Sequence, residues 1–216
     1  YRRAIEADPG APDLRLGLDL ALWELGDYDK ARSAARAAQA RGARREDALY
    51  VEVLCDVRLG ADPAKTLPKA QSLLRARPGD PRVMMTLGEC LYKTGRPDLA
   101  DAWFADVLRV TEGHELALLY RISVAESLGR EADALARYAD YLAAYPDNAA
   151  IRRDYVHALV AARDWASAVG AIEEGAAYGA RGYEPILAAA YRNAGRYREA
   201  ATLYRGLLRA EPKNPE

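Results

Sequence analysis

The chain has little of the material from which reactive or metal-binding sites are usually built. Its 216 residues include only two cysteines and two histidines. Cys55 and Cys90 lie far apart and form no CxxC pair, so the sequence predicts neither a zinc site nor a disulfide framework. His114 and His157 are too few for a histidine-based metal site or catalytic triad. We therefore expect no cofactor and no metal.

Excess charge and long apolar runs are also missing. The 31 basic and 32 acidic residues give a formal net charge of −1, which offers no electrostatic support for bulk binding to nucleic acid or anionic membranes. No apolar run approaches the ~20 residues that a membrane-spanning helix needs. Half of the residues are hydrophobic and 29% are charged, which is typical of a globular chain with a large core.

Fragments of catalytic motifs occur without their partners. Lys93-Thr94-Gly95 spells the KTG of serine β-lactamases, but the Ser-x-x-Lys and Ser-Asp-Asn motifs of that site are absent. His114 begins an HExxH-like stretch in which Leu118 takes the place of the second histidine. Cys90 lies in an apolar helical pattern, which favours a buried thiol. The sequence therefore predicts a protein that is not an enzyme.

What the chain does contain is a repeated signal, Gly-x-x-x-x-Ala. Copies occupy residues 26–31, 95–100, 129–134 and 195–200, and the second and third copies are 34 residues apart. Helical apolar patterns stand before and after each copy. A period of this length predicts an array in which each helix pair buries its apolar face against the next pair.

The copies resemble the tetratricopeptide repeat (TPR) family. In residues 87–108, LGECLYKTGRPDLADAWFADVL, seven positions match the family pattern: Leu87, Gly88, Leu91, Gly95, Ala100, Phe104 and Val107. The resemblance implies an all-α fold, a right-handed α-solenoid (superhelix) of antiparallel helix pairs. It also implies that the small residues let paired helices approach, while Phe104 fills the space beside them.

We expect residues 1–216 to form one TPR array. A partial repeat at 1–11 precedes six repeats, at 12–46, 47–80, 81–114, 115–148, 149–180 and 181–214. The chain begins without methionine and ends where another first helix would begin, so we expect a segment of a longer array. Exposed array ends would allow self-association.

In this family the first helix of each repeat lines the concave side. The positions next to the packed face are apolar or aromatic in the N-terminal half and partly basic in the C-terminal half, and they include Glu24, Arg58 and Arg82. From them we predict a partner-binding groove that contains Leu16, Leu20, Trp23, Val51, Cys55, Met85, Glu89, Tyr92, Arg153, His157 and Arg192.

These features favour a non-catalytic scaffold that binds a partner protein, or a hydrophobic or amphipathic peptide, in its concave groove. Some family members hold a C-terminal carboxylate with lysine and asparagine. The asparagine positions here carry Leu20, Cys55, Glu89 and Ser123, so we do not expect that clamp.

Two alternatives stay open. The arginine-rich composition and family analogy suggest a bacterial envelope or motility assembly, such as polysaccharide export or a pilus machine. That leaves the cytoplasm and the periplasm as compartments. An RNA-binding helical array is the other alternative, although the near-neutral charge speaks against nucleic acid.

Overall fold

The computed structural model describes residues 12–40, 43–179 and 181–210, without the side chains of residues 12–16 and 19. The expected partial repeat at 1–11 and the last residues of the final repeat, from 211 onward, lie outside the described residues. The side chain of Leu16, the first predicted groove residue, also lies outside them.

The described part of the chain holds twelve helices and no strand, which confirms the all-α fold. Their bounds are α1 Pro12–Glu24, α2 Tyr28–Ala40, α3 Arg45–Arg58, α4 Pro63–Ala76, α5 Pro81–Lys93, α6 Pro97–Val110, α7 Glu115–Ser127, α8 Glu131–Ala144, α9 Ala149–Ala161, α10 Trp165–Ala177, α11 Glu184–Asn193 and α12 Tyr197–Ala210.

The Gly-x-x-x-x-Ala signal encodes a turn followed by a packing contact. Each of its four glycines lies two residues after a helix end, and Gly95 has a φ of 75° that suits glycine. The alanine five residues later is buried in every copy. Short turns of this kind fold two consecutive helices back on each other as an antiparallel pair.

The turn between α9 and α10 places an arginine where the signal has glycine. Arg163 has a φ of 60°, the only non-glycine residue with positive φ in the described ranges. The left-handed conformation costs an ordinary residue about 1–2 kcal/mol.

We expect Arg163→Gly to raise the free energy of unfolding by up to about 1 kcal/mol, because the relief of strain exceeds the entropy cost of glycine. Urea unfolding measures this change. Arg181→Gly, at a position without positive φ, serves as the control and should bring no gain. If Arg163→Gly were no more stable than the parent protein, the prediction would be wrong.

The chain divides into two compact units, Tyr1–Tyr120 and Arg121–Glu216. In the first unit, consecutive helices from α1 to α6 contact each other, and the first helices contact one another in the order α1, α3, α5. In the second unit, α8 to α12 contact one another in sequence. The α9–α11 region there surrounds a core that contains Val156, Leu159, Ala168, Ala171, Ile172 and Tyr183.

A tight contact joins α5 and α6 in the first unit. A Cβ atom added to Gly88 would lie 2.5 Å from Cε1 of Phe104. The Phe104 ring is fully buried and stacks on Tyr120 with 4.8 Å between ring centroids. The absence of a side chain at Gly88 therefore lets the two helices approach, as the sequence pattern indicates.

An ionic network links α2, α3 and α4. Glu52 accepts hydrogen bonds from Arg36 at 2.9 Å and from Lys69 at 3.0 Å. Lys69 also reaches Asp56 at 3.2 Å, and Arg32 lies 3.4 Å from the same carboxylate. Burial raises the pKa of Glu52, but the hydrogen bonds and charges of Arg36 and Lys69 outweigh it, so the net pKa is lowered.

A lowered pKa makes the contribution of Glu52 to stability pH-dependent. A carboxylate with a depressed folded-state pKa stabilises the protein above its unfolded-state pKa, and this contribution is lost as the pH falls through the folded-state pKa. We expect Glu52→Gln to cost on the order of 1 kcal/mol at pH 7 and progressively less below about pH 4.5. Urea unfolding between pH 7 and pH 3 tests this.

Glu46→Gln, at an exposed position on the same helix, is the matched control for Glu52. Its stability should follow that of the parent across the pH range. If Glu52→Gln lowered the free energy of unfolding as much at pH 3 as at pH 7, Glu52 would not be a source of the pH dependence.

Candidate functional site

The predicted groove residues fall into three classes in the structure. Leu20, Trp23 and Tyr92 are half-buried, and Arg153, His157 and Arg192 are exposed. The other four with described side chains are almost completely buried: Val51, Cys55, Met85 and Glu89.

The side chains of Val51, Cys55 and Glu89 pack inside the first unit instead of facing an open groove, and Met85, which is also buried, lines the cavity described below. Val51 and Cys55 lie on α3, and Met85 and Glu89 lie on α5. Because α3 contacts both α1 and α5, the face beside each within-repeat contact is covered by a neighbouring first helix. A face that the sequence pattern leaves free is thus largely used for packing between repeats. That the rest of this surface binds a partner stays a prediction.

What remains open on this surface is a cavity of about 200 Å³ in the first unit. Its walls come from α1, α3, α5 and the loop before α7, so the first helices form it as the family resemblance implies. We call it the first-helix cavity. It is lined by Trp23, Glu24, Leu54, Val57, Arg58, Arg82, Met85, Thr86 and His114.

Trp23 forms one wall of the first-helix cavity. Its indole Nε1–H is buried and has no hydrogen-bond partner among the described residues. The ring meets Tyr28 edge-on at 6.2 Å, and the Arg82 guanidinium lies 5.3 Å from its centroid. Because this nitrogen is enclosed, Trp23 contributes packing and apolar surface to the cavity wall rather than an accessible donor.

Two arginines of the cavity are held by carboxylates. Arg82 donates to Glu24 at 2.5 Å, and both side chains of that pair are well exposed. Arg58 donates from one nitrogen to both oxygens of Glu89, at 3.0 and 3.3 Å. Burial, together with the charge and hydrogen bond of Glu89, raises the pKa of Tyr120 to about 12. The two ion pairs therefore differ: both side chains of the Arg82–Glu24 pair are exposed, whereas in the other pair the Glu89 carboxylate is buried and only Arg58 reaches the surface.

His114, which in the sequence begins an incomplete HExxH motif, lines the cavity. Its Nδ1 accepts a hydrogen bond from the backbone N–H of Ala117 at 3.3 Å, at the start of α7. Asp80 and Asn148 cap α5 and α9 in the same way, each 34 residues from His114. The repeat period itself was therefore the signal that could have placed His114 beside a first helix.

The second unit offers a weaker candidate. Arg153 and His157 are exposed on α9, whereas the adjacent Arg152 is buried and donates to backbone oxygens of Ala171 and Pro146 at 3.1 and 2.8 Å. A cavity of about 390 Å³ beside α8 and the end of α9 is lined by four alanines and by Glu126, Gly129, Arg130, Glu131, Leu135 and Tyr138. No buried side-chain donor or acceptor in its lining lacks a partner among the described residues.

The groups that resemble catalytic fragments are a buried thiol and the end of a helix. Burial and the neighbouring Glu89 charge raise the pKa of the buried Cys90 thiol to about 11, so it carries little thiolate near neutral pH. Lys93 ends α5, with Thr94 as its cap residue. The described residues contain no cluster of histidine, cysteine and acidic side chains with metal-site geometry, and none of their helices has the length and apolarity to cross a membrane.

Family comparison agrees with this arrangement. A sequence model of the family described as tetratricopeptide repeat matches residues 1–49 and 62–115, and a second model with the same description matches residues 186–214. Together they cover more than half of the chain. The chain belongs to the tetratricopeptide repeat family. No curated protein matches this TPR chain in sequence.

Solved TPR structures share the fold. YrrB, a TPR protein with an unusual peptide-binding site, is 16% identical, with a TM-score of 0.60 over 82% of this chain and 91% of its own. PilF from Pseudomonas aeruginosa is 16% identical, with a TM-score of 0.62 over 94% and 93%. PilW, a type IV pilus biogenesis factor, is 16% identical, with a TM-score of 0.59 over 94% and 95%. At these identities the likeness shows the fold alone.

Proposed function

We propose that this TPR chain is a non-catalytic scaffold that binds a segment of a partner protein at the first-helix cavity. The observation that carries the proposal is the first-helix cavity itself, a recess of about 200 Å³ between α1, α3 and α5.

The cavity also has the composition of a recognition site. Trp23, Met85 and two arginines line it, and these residue types are enriched in protein interfaces. Its walls come from three helices that already pack against one another, so it is formed before any partner arrives. A pre-formed site spares the partner the cost of ordering it.

A cavity-filling variant tests the location of the site. Val57 lines the cavity and is half-buried, so Val57→Phe should fill part of it. Dodecapeptides selected from a random display library on the parent protein should lose about tenfold or more in affinity for this variant.

Val110→Phe is the matched control, since Val110 is exposed on α6 and lies outside the cavity. It should bind the selected peptides as the parent does. Helicity and melting temperature of both variants are recorded first, so that a loss of binding is compared between folded proteins. Equal binding by the Val57 and Val110 variants would place the site elsewhere.

Two of the similar structures bear on the pilus alternative. The folds of PilF and PilW each match 94% of this chain, and the pilus alternative predicts such a fold. Their sequence identity is too low to carry a pathway from them to this protein, so an envelope or motility role stays a prediction. The cavity does not favour the RNA-binding alternative, because both of its arginines already pair with carboxylates.

A further inference from the structure

We infer that the cavity of about 390 Å³ in the second unit is a second binding site, one that takes a lysine or arginine side chain of a partner protein. We call it the alanine cavity. The stem of the bound side chain lies along the apolar wall, and its cation pairs with the Glu126 carboxylate. This site is separate from the first-helix cavity and does not depend on the function proposed there.

Small side chains leave the alanine cavity open. Ala158, Ala161 and Ala162 line it from the last turn of α9 and the residue after that helix, and α8 supplies most of the remaining apolar wall. Ala162 is the counterpart of Leu128, which lies 34 residues earlier, so a larger side chain is compatible with the repeat at this position. The volume falls in the roughly 300–1,000 Å³ range of ligand pockets. The methylene stem of lysine or arginine packs well on an apolar wall of this kind.

The polar end of the alanine cavity is a carboxylate that is held in place. The Tyr138 hydroxyl donates to Oε1 of Glu126 at 2.6 Å, and both residues line the cavity. Tyr138 is 5% exposed, so a buried side chain fixes the carboxylate beside the cavity. Among the described residues no cation pairs with Glu126 or with Glu131, the other acidic residue of the lining, and this includes Arg130 in the same lining. The Glu126 carboxylate is therefore accessible and lacks a countercharge.

The charges that act on Tyr138 are all negative. Burial, the hydrogen bond to Glu126, and the charges of Glu126 and Asp154 raise the pKa of the Tyr138 hydroxyl well above its ordinary value, and no cation contributes an opposing shift. An acidic side chain that entered the cavity would be repelled by these charges. A neutral apolar side chain would cover the wall but leave Glu126 unpaired. Charge complementarity therefore favours a basic side chain over both.

An NMR titration of the full chain, with labelled alanine methyl groups, tests the location of the site. The probe is N-acetyl-lysine methylamide, and its control is N-acetyl-norleucine methylamide, which has a similar stem and no charge. Ala162→Leu identifies the methyl signal of Ala162, because the variant lacks it. We expect the lysine probe to move this signal at about millimolar concentrations and the norleucine probe to move it much less. No movement, or equal movement with both probes, would overturn the inference.

Charge variants test the role of the carboxylate. Glu126→Gln keeps an oxygen that can accept from Tyr138 but removes the negative charge. It should weaken binding of the lysine probe about tenfold, because a charge-assisted hydrogen bond is lost. Glu184→Gln, at an exposed position on α11, removes the same charge outside the cavity and should leave the affinity unchanged. Equal affinities of the two variants for the lysine probe would refute the pairing with Glu126.

Cavity-filling variants separate the two sites. Ala162→Leu should weaken binding of the lysine probe, followed by saturation transfer to the probe, because the larger side chain occupies the cavity. Ala166→Leu, at an exposed position on α10 outside the cavity, should bind the probe as the parent protein does. Val57→Phe should also bind it unchanged, since Val57 lines the first-helix cavity. If Val57→Phe lost the lysine probe while Ala162→Leu kept it, the probe would bind in the first-helix cavity and the inference would be wrong.

Discussion

Gly88→Ala is expected to lower the free energy of unfolding by about 1–3 kcal/mol, although alanine is the better helix former. The new methyl carbon would lie 2.5 Å from Phe104, whose ring is fully buried and stacked on Tyr120. A buried, stacked ring moves only by displacing its neighbours, so we expect α5 and α6 to separate slightly. Chemical denaturation followed by circular dichroism measures the loss.

Gly170→Ala is the matched control, and we expect it to change the free energy of unfolding in the opposite direction. Gly170 lies inside α10, and a Cβ atom added there meets nothing within 4 Å. The substitution should therefore raise the free energy of unfolding by about 0.5–1 kcal/mol, which is the ordinary preference for alanine in a helix. Phe104→Leu should recover part of the loss in the Gly88 variant. Equal stability changes at the two glycines would show that the Phe104 contact is not rigid.

Arg58→Met is expected to destabilise the protein by about 3 kcal/mol, because it leaves the Glu89 carboxylate buried without its cation. Glu89 is 2% exposed, whereas Arg58 is 30% exposed. Water can therefore reach the site in part, which puts the expected value at the low end of the range for buried pairs. Urea unfolding of the single variant measures the loss.

A double substitution separates the unpaired charge from the loss of the arginine itself. Arg58→Met combined with Glu89→Met should recover most of the stability, since no buried charge remains. Arg75→Met, at an exposed position on α4, should stay within about 0.5 kcal/mol of the parent. If the double variant were as unstable as Arg58→Met, the ion pair would not be the source of the effect.

The fold was predictable because its signals are local. Gly95 and Ala100 are five residues apart, and together they specify a left-handed turn and a buried contact without information from elsewhere in the chain. Arg163 shows the limit of the signal, since it adopts the glycine conformation without being glycine. There the fold imposes a backbone conformation that the residue itself disfavours.

The site was only partly predictable. Trp23, Arg82 and Met85 were expected on the first-helix face, and the structure brings them to one cavity. The burial of Val51 and Cys55 could not be predicted from the helical period. It depends on how far one helix pair is rotated against the next, and the period carries no information on that rotation. Single-residue context matters as well: Arg152 and Arg153 are neighbours in sequence, but only Arg152 is buried.

The ionic network of Glu52 has a consequence for how the array comes apart. Arg32 and Arg36 lie on α2, in the first helix pair, while the carboxylates and Lys69 lie on α3 and α4, in the second. In a solenoid, stability is close to a sum of repeat terms and nearest-neighbour coupling terms. A network that spans the junction adds to the coupling term. We therefore expect the first two helix pairs to open together rather than one after the other.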